Sequence, residues 1–266
     1  MNNDKDFMIV NTDVPGGNAH VLQKRLIGEI FEIDFMPSPA GGPAAMWFYF
    51  CVDPGCEASV KNVRCLLHLP DILLGGTSSP AGFLPVYKTA QRAWTRVESV
   101  ALQARPDGRP VWDWMMPGNE GPLEVALCYP YGEAELECLI KDTALPSDVI
   151  GITAGNRLLR RLSNAPGAAG SLRPGVYCLA RQHAGETPGS WILDGFLREI
   201  AAAGECAPLV WTVPLVDVDG VAAGFYGKDR FPWDYNRAWG AKGFPPETQA
   251  INGTHPMRYE THCIQK

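Results

Sequence analysis

Up to about residue 130 the chain is a series of short β-rich runs broken by Gly and Pro. The runs "LIGEIFEIDFMP", "AAMWFYFCVD", "VKNVRCLLHLP", "RAWTRVESVAL" and "GPLEVALCYPY" are separated by turn signals such as "SPAGGP", "GGTSSPAG" and "RPDGRP". Short strands at fairly regular spacing, with few helical periodicities, predict an antiparallel β-sandwich over residues 1–130. Trp47, Phe48, Tyr49 and Phe50 are expected to supply much of its core.

From residue 131 to 266 the pattern becomes α/β. "GVYCLAR" (Gly175 to Arg181) is a short apolar, β-rich run. In "SWILDGFLREIAAAG", which follows, Ile192, Leu193, Phe196, Leu197 and Ile200 recur at helical spacing. Thr187 suits the N-cap, Pro188 the first helical position and Gly204 the stop. "APLVWTVPLV" then reads as a second buried strand. A strand, a helix and a strand within so short a stretch predict a βαβ unit, whose two strands are parallel neighbours.

Composition narrows the function classes. A chain that is 46% hydrophobic and 20% charged is a well-packed globular protein, and a net charge of −6 argues against a nucleic-acid partner. The basic run at Arg157 to Arg161 reads as a solvated face. Of the eight cysteines, Cys128, Cys138, Cys178 and Cys206 sit singly, and Cys51 and Cys56 in "CVDPGC" lack a second close pair to complete a four-ligand site. The first residues do not read as a signal peptide, and no apolar run approaches the roughly 20 residues that span a bilayer. The expectation is a reducing, cytoplasmic location with no membrane partner.

In an open α/β sheet, ligands gather beyond the carboxyl ends of the strands. His183 and Glu186 in "HAGE" follow the first strand of the unit, "DVDG" (Asp217 to Gly220) follows the second, and "MRYETHC" carries His262. Two histidines and one glutamate, with a fourth position left to water, make a catalytic zinc arrangement. Zinc there would polarise a carbonyl and lower the pKa of its water to about 7. His-x-x-Glu alone is weak evidence; its place between a strand and a helix strengthens it.

"GVYCLARQHAGETPGSWILDGFLREI" closely resembles the first zinc-binding segment of the zinc carboxypeptidase family. "VPLVDVDGVAAG" is similar to that family's Pro-x-x-Asn-Pro-Asp-Gly-Val loop, "WDYNRAW" to its Asp-x-Asn-Arg-x-Trp, and "YETHC" to the strand that carries its third ligand. The leading sandwich and "CYPYGEAELE" point to the cytosolic branch. The resemblance implies a partial catalytic α/β domain with a mixed, mostly parallel sheet. It makes His183, Glu186 and His262 the zinc ligands, with His255 as the rival histidine. Asn236 and Arg237 would hold the terminal carboxylate of a peptide or protein tail, a task that suits a buried Asn–Arg pair because the guanidinium is a planar fork of donors.

Four departures qualify the expectation. Gly227 stands where the family carries an arginine that polarises the scissile carbonyl, leaving Lys228 or Arg230 for that role. Asp217-Val218 replaces Asn-Pro, and Glu260 stands where an aspartate is expected. The sequence ends at Lys266, before the family's general-base glutamate and substrate-capping tyrosine, so a truncated product, a fragment or a pseudoenzyme is expected. The expected activity is zinc-dependent removal of a C-terminal or side-chain-linked amino acid. The alternatives are a non-catalytic module that binds acidic C-terminal tails and an N-acyl amino acid deacylase.

Overall fold

Alternation along the strands builds the first unit, which ends at Pro130. The structure is a computed structural model describing residues 9–39, 42, 44–54, 60–74, 79–165, 175–229, 234–239 and 263–264. One sheet contains β1 (Ile9–Asn11), β4 (Tyr49–Asp53), β10 (Leu123–Ala126), β6 (Val86–Thr89) and β7 (Thr95–Arg96), in that spatial order. The other contains β2 (His20–Ile27), β3 (Ile30–Met36), β5 (Asn62–His68), β9 (Pro110–Pro117) and β8 (Ala101–Ala104). A single helical turn, α1 (Pro70–Leu73), follows β5.

Every second residue faces inward, as the two-residue period of a strand requires. Phe31, Ile33 and Phe35 of β3, Val63, Cys65 and Leu67 of β5, and Trp112, Trp114 and Met116 of β9 meet Phe50, Val52, Leu123 and Val125 of the facing sheet. Phe35 is central, with ring centroids 5.2 Å from Phe48, 4.9 Å from Phe50 and 5.9 Å from Trp114, all edge-on. Phe48 and Phe50 fill the core as expected. Trp47 is buried outside this cluster, donating to the Gly16 carbonyl at 2.8 Å, and Tyr49 is half-buried.

The sandwich is not wholly antiparallel. β3 and β5 pair in parallel because the chain crosses to the other sheet as β4 before returning in the same direction. On their outward face, Glu32, Asp34 and Asp113 are buried beneath Arg25 and Arg64, which pair with them across four strands.

The second unit begins at Tyr131. After α2 (Glu133–Thr143) come β11 (Ser147–Ile152), β12 (Leu158–Ser163), β13 (Gly175–Leu179), α3 (Thr187–Ala203), β14 (Leu209–Val213) and α4 (Val218–Ala222). The sheet order is β11-β12-β14-β13. β13 and β14 are parallel neighbours joined through α3, the βαβ unit read from the pattern. The fold class is α/β with a mixed sheet. Among the described strands it is less parallel than expected, since β11–β12 and β12–β14 are antiparallel. β11 and β12 follow each other directly through a turn, which only an antiparallel pair permits.

Both sheet faces are covered. Leu162 and Val210 pack with Leu136, Leu139, Leu197 and Ile200 of α2 and α3. Leu159 and Val213 pack on the other side with Val216, Tyr235, Cys263 and Ile264. Cys263 and Ile264 are helical rather than extended, and they bury by side-chain packing instead of joining a ladder. On α3, Leu193, Leu197 and Ile200 form the buried stripe at steps of four and three. Ile192 falls one position off that stripe and is 72% exposed, against the sequence expectation. The helix also starts one residue early: Glu186 occupies the cap and Thr187 the first turn. The basic run lies on and just before β12, where Arg157, Arg160 and Arg161 pair with Glu133, Glu137 and Asp148. The described cysteines are free thiols; Cys56 lies outside the described residues.

Phe35→Ala leaves a large cavity between the two sheets of the first unit and should cost about 3–5 kcal/mol. Denaturant titration of the variant checks this, and a loss below about 1 kcal/mol would contradict the packing described.

Candidate metal centre

The chemistry gathers where β13 and β14 end side by side. Val216 N–H donates to the Ala180 carbonyl and Asp217 N–H to the Arg181 carbonyl, each at 3.0 Å, holding the two exit loops together. Asp217 is spent on structure, since its side chain caps α4 by accepting from Gly220 N–H at 2.9 Å. Asp219 binds Thr153 Oγ1 at 2.7 Å and Gly155 N–H at 2.9 Å. The "DVDG" carboxylates therefore build the loop and do not face the site.

His183 and Glu186 lie on a tight turn closed by Glu186 N–H to the His183 carbonyl at 3.1 Å. His183 is buried, and its ring is held at both nitrogens. Nδ1 stands 2.9 Å from Glu186 Oε1, and Nε2 stands 3.0 Å from both oxygens of Asp234. Asp234 also accepts Asp229 N–H at 3.0 Å and Asn236 N–H at 2.7 Å, so its carboxylate is fixed before it meets the ring. The Tyr226 ring lies 6.3 Å from that of His183.

This geometry fits half of a metal site. With its Nε2 proton directed to Asp234, the imidazole offers the Nδ1 lone pair on the side of Glu186. Two donors each about 2.0–2.1 Å from a tetrahedral zinc stand roughly 3.3 Å apart, close to the separation seen. Among the described residues no group of three His, Cys, Asp or Glu side chains is arranged to hold a metal. His262 and His255 lie outside the described residues, as do Arg230 and Glu260.

His183 and Glu186 open onto a cleft of about 350 Å³, with Arg181, Pro188 and Asn236 also on its walls. A larger cleft of about 460 Å³ in the first unit is lined by Arg92, Glu98, Asp113 and Trp114. It has no histidine, so the donor chemistry favours the smaller one. Asn236 and Arg237 sit on a short 3-10 turn (Tyr235–Arg237) in which Tyr235 takes the buried position. Both are exposed, which corrects the expectation of a buried pair. Arg237 Nη1 donates to the Asn236 carbonyl at 3.2 Å. Lys228 is exposed as well.

Gly227 has a structural reason. Its φ is +92°, and a Cβ there would lie 2.6 Å from the Ala184 backbone nitrogen. Residue 227 packs against the His183–Glu186 turn and has no room for a side chain. Asp234, Arg181 and Tyr226 were not singled out by residue type. Asp234 heads the Asp-x-Asn-Arg run, and that position was the available signal.

The described fold is that of metallo-carboxypeptidases. The enzyme from Burkholderia cenocepacia matches with a TM-score of 0.71 at 17% identity, covering 87% of this chain and 62% of that one. A metallo-carboxypeptidase from Pseudomonas aeruginosa, solved with (2-guanidinoethylmercapto)succinic acid, gives 0.63 at 20% identity over 87% of this chain and 61% of that one. In sequence, cytosolic carboxypeptidase 6 of Caenorhabditis elegans is 21% identical over 253 residues, which is 87% of this chain and 54% of that protein. Cytosolic carboxypeptidase 2 of Xenopus tropicalis is 29% identical over 223 residues, 72% of this chain and 23% of that protein. No family model matches the sequence. The chain is thus similar in fold to metallo-carboxypeptidases and in sequence to proteins named cytosolic carboxypeptidases. It spans about half the length of the first relative and about a quarter of the second. No helix among the described residues is long and apolar enough to cross a membrane.

In the metal-free protein the hydrogen bond to Glu186 raises the His183 imidazole above its ordinary 6.5, against burial, and the charges of Glu186 and Asp234 add to the rise. Burial alone would raise Asp234, but the Asp229 and Asn236 N–H groups and then His183 hold it below the usual carboxylate range. A group with a raised folded pKa stabilises the fold fully below its unfolded pKa and loses that contribution as pH climbs through the folded value. The metal-free protein should therefore lose stability as pH rises above about 6.5. His183→Ala should flatten this slope; denaturation midpoints across neutral pH would show equal slopes in the two proteins if the ring were not so held.

Proposed function

We propose that this chain is the zinc-binding part of a cytoplasmic metallocarboxypeptidase that hydrolyses the bond to a C-terminal, or side-chain-linked, amino acid of a peptide or protein. One observation carries the proposal: the His183 ring is gripped by Asp234 on one nitrogen and meets Glu186 at the other, at the wall of a cleft. His183, Glu186 and His262 are the residues that would hold zinc. In support, Cys263, next to His262 in sequence, shares a buried cluster with Tyr235, next to Asp234. A bound zinc supplies a Lewis acid for the scissile carbonyl and lowers the pKa of water to about 7.

The other roles belong to the chain. Asp234 fixes the tautomer and direction of His183, so that no reorganisation is needed when the ring binds. Asn236 at the cleft wall and Arg237 beside it meet the free carboxylate of the substrate, and that charge-assisted contact sets which bond lies at the centre. Lys228 or Arg230 lends positive charge to the carbonyl oxygen as it gains negative charge.

A second reading, a binding module for acidic C-terminal tails with impaired hydrolysis, is favoured by Gly227. The backbone there leaves no room for a side chain at the place where the family's arginine would stand. The leading sandwich favours the peptidase over an N-acyl amino acid deacylase.

Purified protein is expected to hold close to one equivalent of zinc, and His183→Ala close to none; a wild-type protein that takes up no zinc would sink both readings. Peptides with a free C-terminal carboxylate should bind about 10–100-fold more tightly than their amides, and Arg237→Ala should remove that preference. Equal affinity for acid and amide would rule out carboxylate anchoring, and turnover of the bound acid separates enzyme from binder.

A further inference from the structure

We infer that Arg181 is a positioning residue: its guanidinium clamps the peptide between the two metal-ligating residues and so preforms the metal-binding turn. The inference rests on the zinc reading of His183 and Glu186 given above. Arg181 leaves β13 in the left-handed region, with φ of 60°, which is uncommon for a non-glycine residue. Its side chain folds back over its own turn and is buried. Nε donates to the Ala184 carbonyl at 2.7 Å, Nη2 donates to the same oxygen, and Nη1 donates to the Tyr131 carbonyl at 2.6 Å.

The Ala184–Gly185 peptide lies midway between His183 and Glu186. Arg181 holds its carbonyl, while its N–H, on Gly185, donates to the Tyr226 carbonyl at 2.8 Å. With both ends of that peptide pinned, its plane cannot rotate, and the directions of the two flanking side chains are set. The outer anchor is fixed in turn. The Tyr131 hydroxyl donates to Asp194 of α3 at 3.1 Å, and Asp194 also accepts Arg198 Nε at 2.6 Å. The turn is thus braced against the helix that starts directly after Glu186. Only a planar fork reaches two carbonyls in this way; a lysine ammonium in the same place is a single point.

The brace is tested by metal affinity, measured by chelator competition with zinc, and by hydrogen exchange of the Gly185 amide in metal-free protein. Arg181→Met should bind zinc about 10–100-fold more weakly and exchange Gly185 faster. Arg181→Lys, which keeps the charge without the fork, guards against misfolding of the first variant and should also lose about tenfold. Ile200→Ala, in the core far along α3, should lower the melting temperature while leaving both readouts unchanged. Unchanged affinity and exchange in the Arg181 variants would overturn the inference, as would an equal loss in Ile200→Ala. If wild-type protein takes up no zinc, the functional reading falls. Gly185 exchange then judges the brace alone, and an unaltered rate in both Arg181 variants overturns it.

Discussion

Asp234 holding the Nε2 edge of a buried imidazole is the contact on which the rest of the site depends. A histidine buried without a partner would leave one ring nitrogen unsatisfied, and its tautomer would be free to change. Here the carboxylate is itself locked by two backbone N–H groups, so it reaches the ring already oriented. The far nitrogen is thereby left to meet Glu186. The order of constraint runs from a 3-10 turn to a carboxylate, from the carboxylate to a ring, and from the ring to a donor pair. Each link is short, and together they fix the direction of the His183 side chain.

The surrounding fold serves that chain of contacts. Two parallel strands end at the same level, so their exit loops bond to one another and present the turn and α4 at one edge of the sheet. Gly227 lets a third segment approach to contact distance, and Tyr226 beside it accepts the Gly185 N–H. The carboxylates of "DVDG" stand at a strand end, where ligands gather, yet both are consumed in holding loops: Asp217 as a helix cap and Asp219 against Thr153 and Gly155. A carboxylate at the end of a strand is as often an architectural group as a reactive one, and its partners decide which.

This explains what was legible in the sequence. The βαβ unit and the α3 stripe were readable because periodicity and burial are local properties of the chain. So was the sandwich, apart from the parallel β3–β5 pair, whose direction depends on a crossover through the other sheet. The His183–Glu186 pair was readable because its two members are three residues apart. Asp234 was not, since its role exists only once the chain has folded back across a sequence separation of 51 residues. The exposure of Asn236 and Arg237 was hidden for the same kind of reason: in a three-residue turn one position is buried, and Tyr235 took it.

An exposed Asn–Arg pair changes the physics of the anchor it is proposed to form. A buried guanidinium fork would carry a fixed desolvation cost in the free protein and bind carboxylate from a rigid position. An exposed one stays hydrated until a ligand arrives, and its attraction for a distant carboxylate is screened by salt. The selectivity must then come from the cleft wall, where Asn236 stands with His183 and Glu186. In the proposed site the His183–Glu186 turn would do two tasks at once, placing the donors and shaping the floor on which the terminal residue rests. There the fixed part is the turn, and the exposed, adaptable part is the proposed carboxylate anchor. Tightness of the first is what allows looseness in the second, because only one end of a substrate needs to be placed to within a fraction of an ångström for the bond at the centre to be chosen.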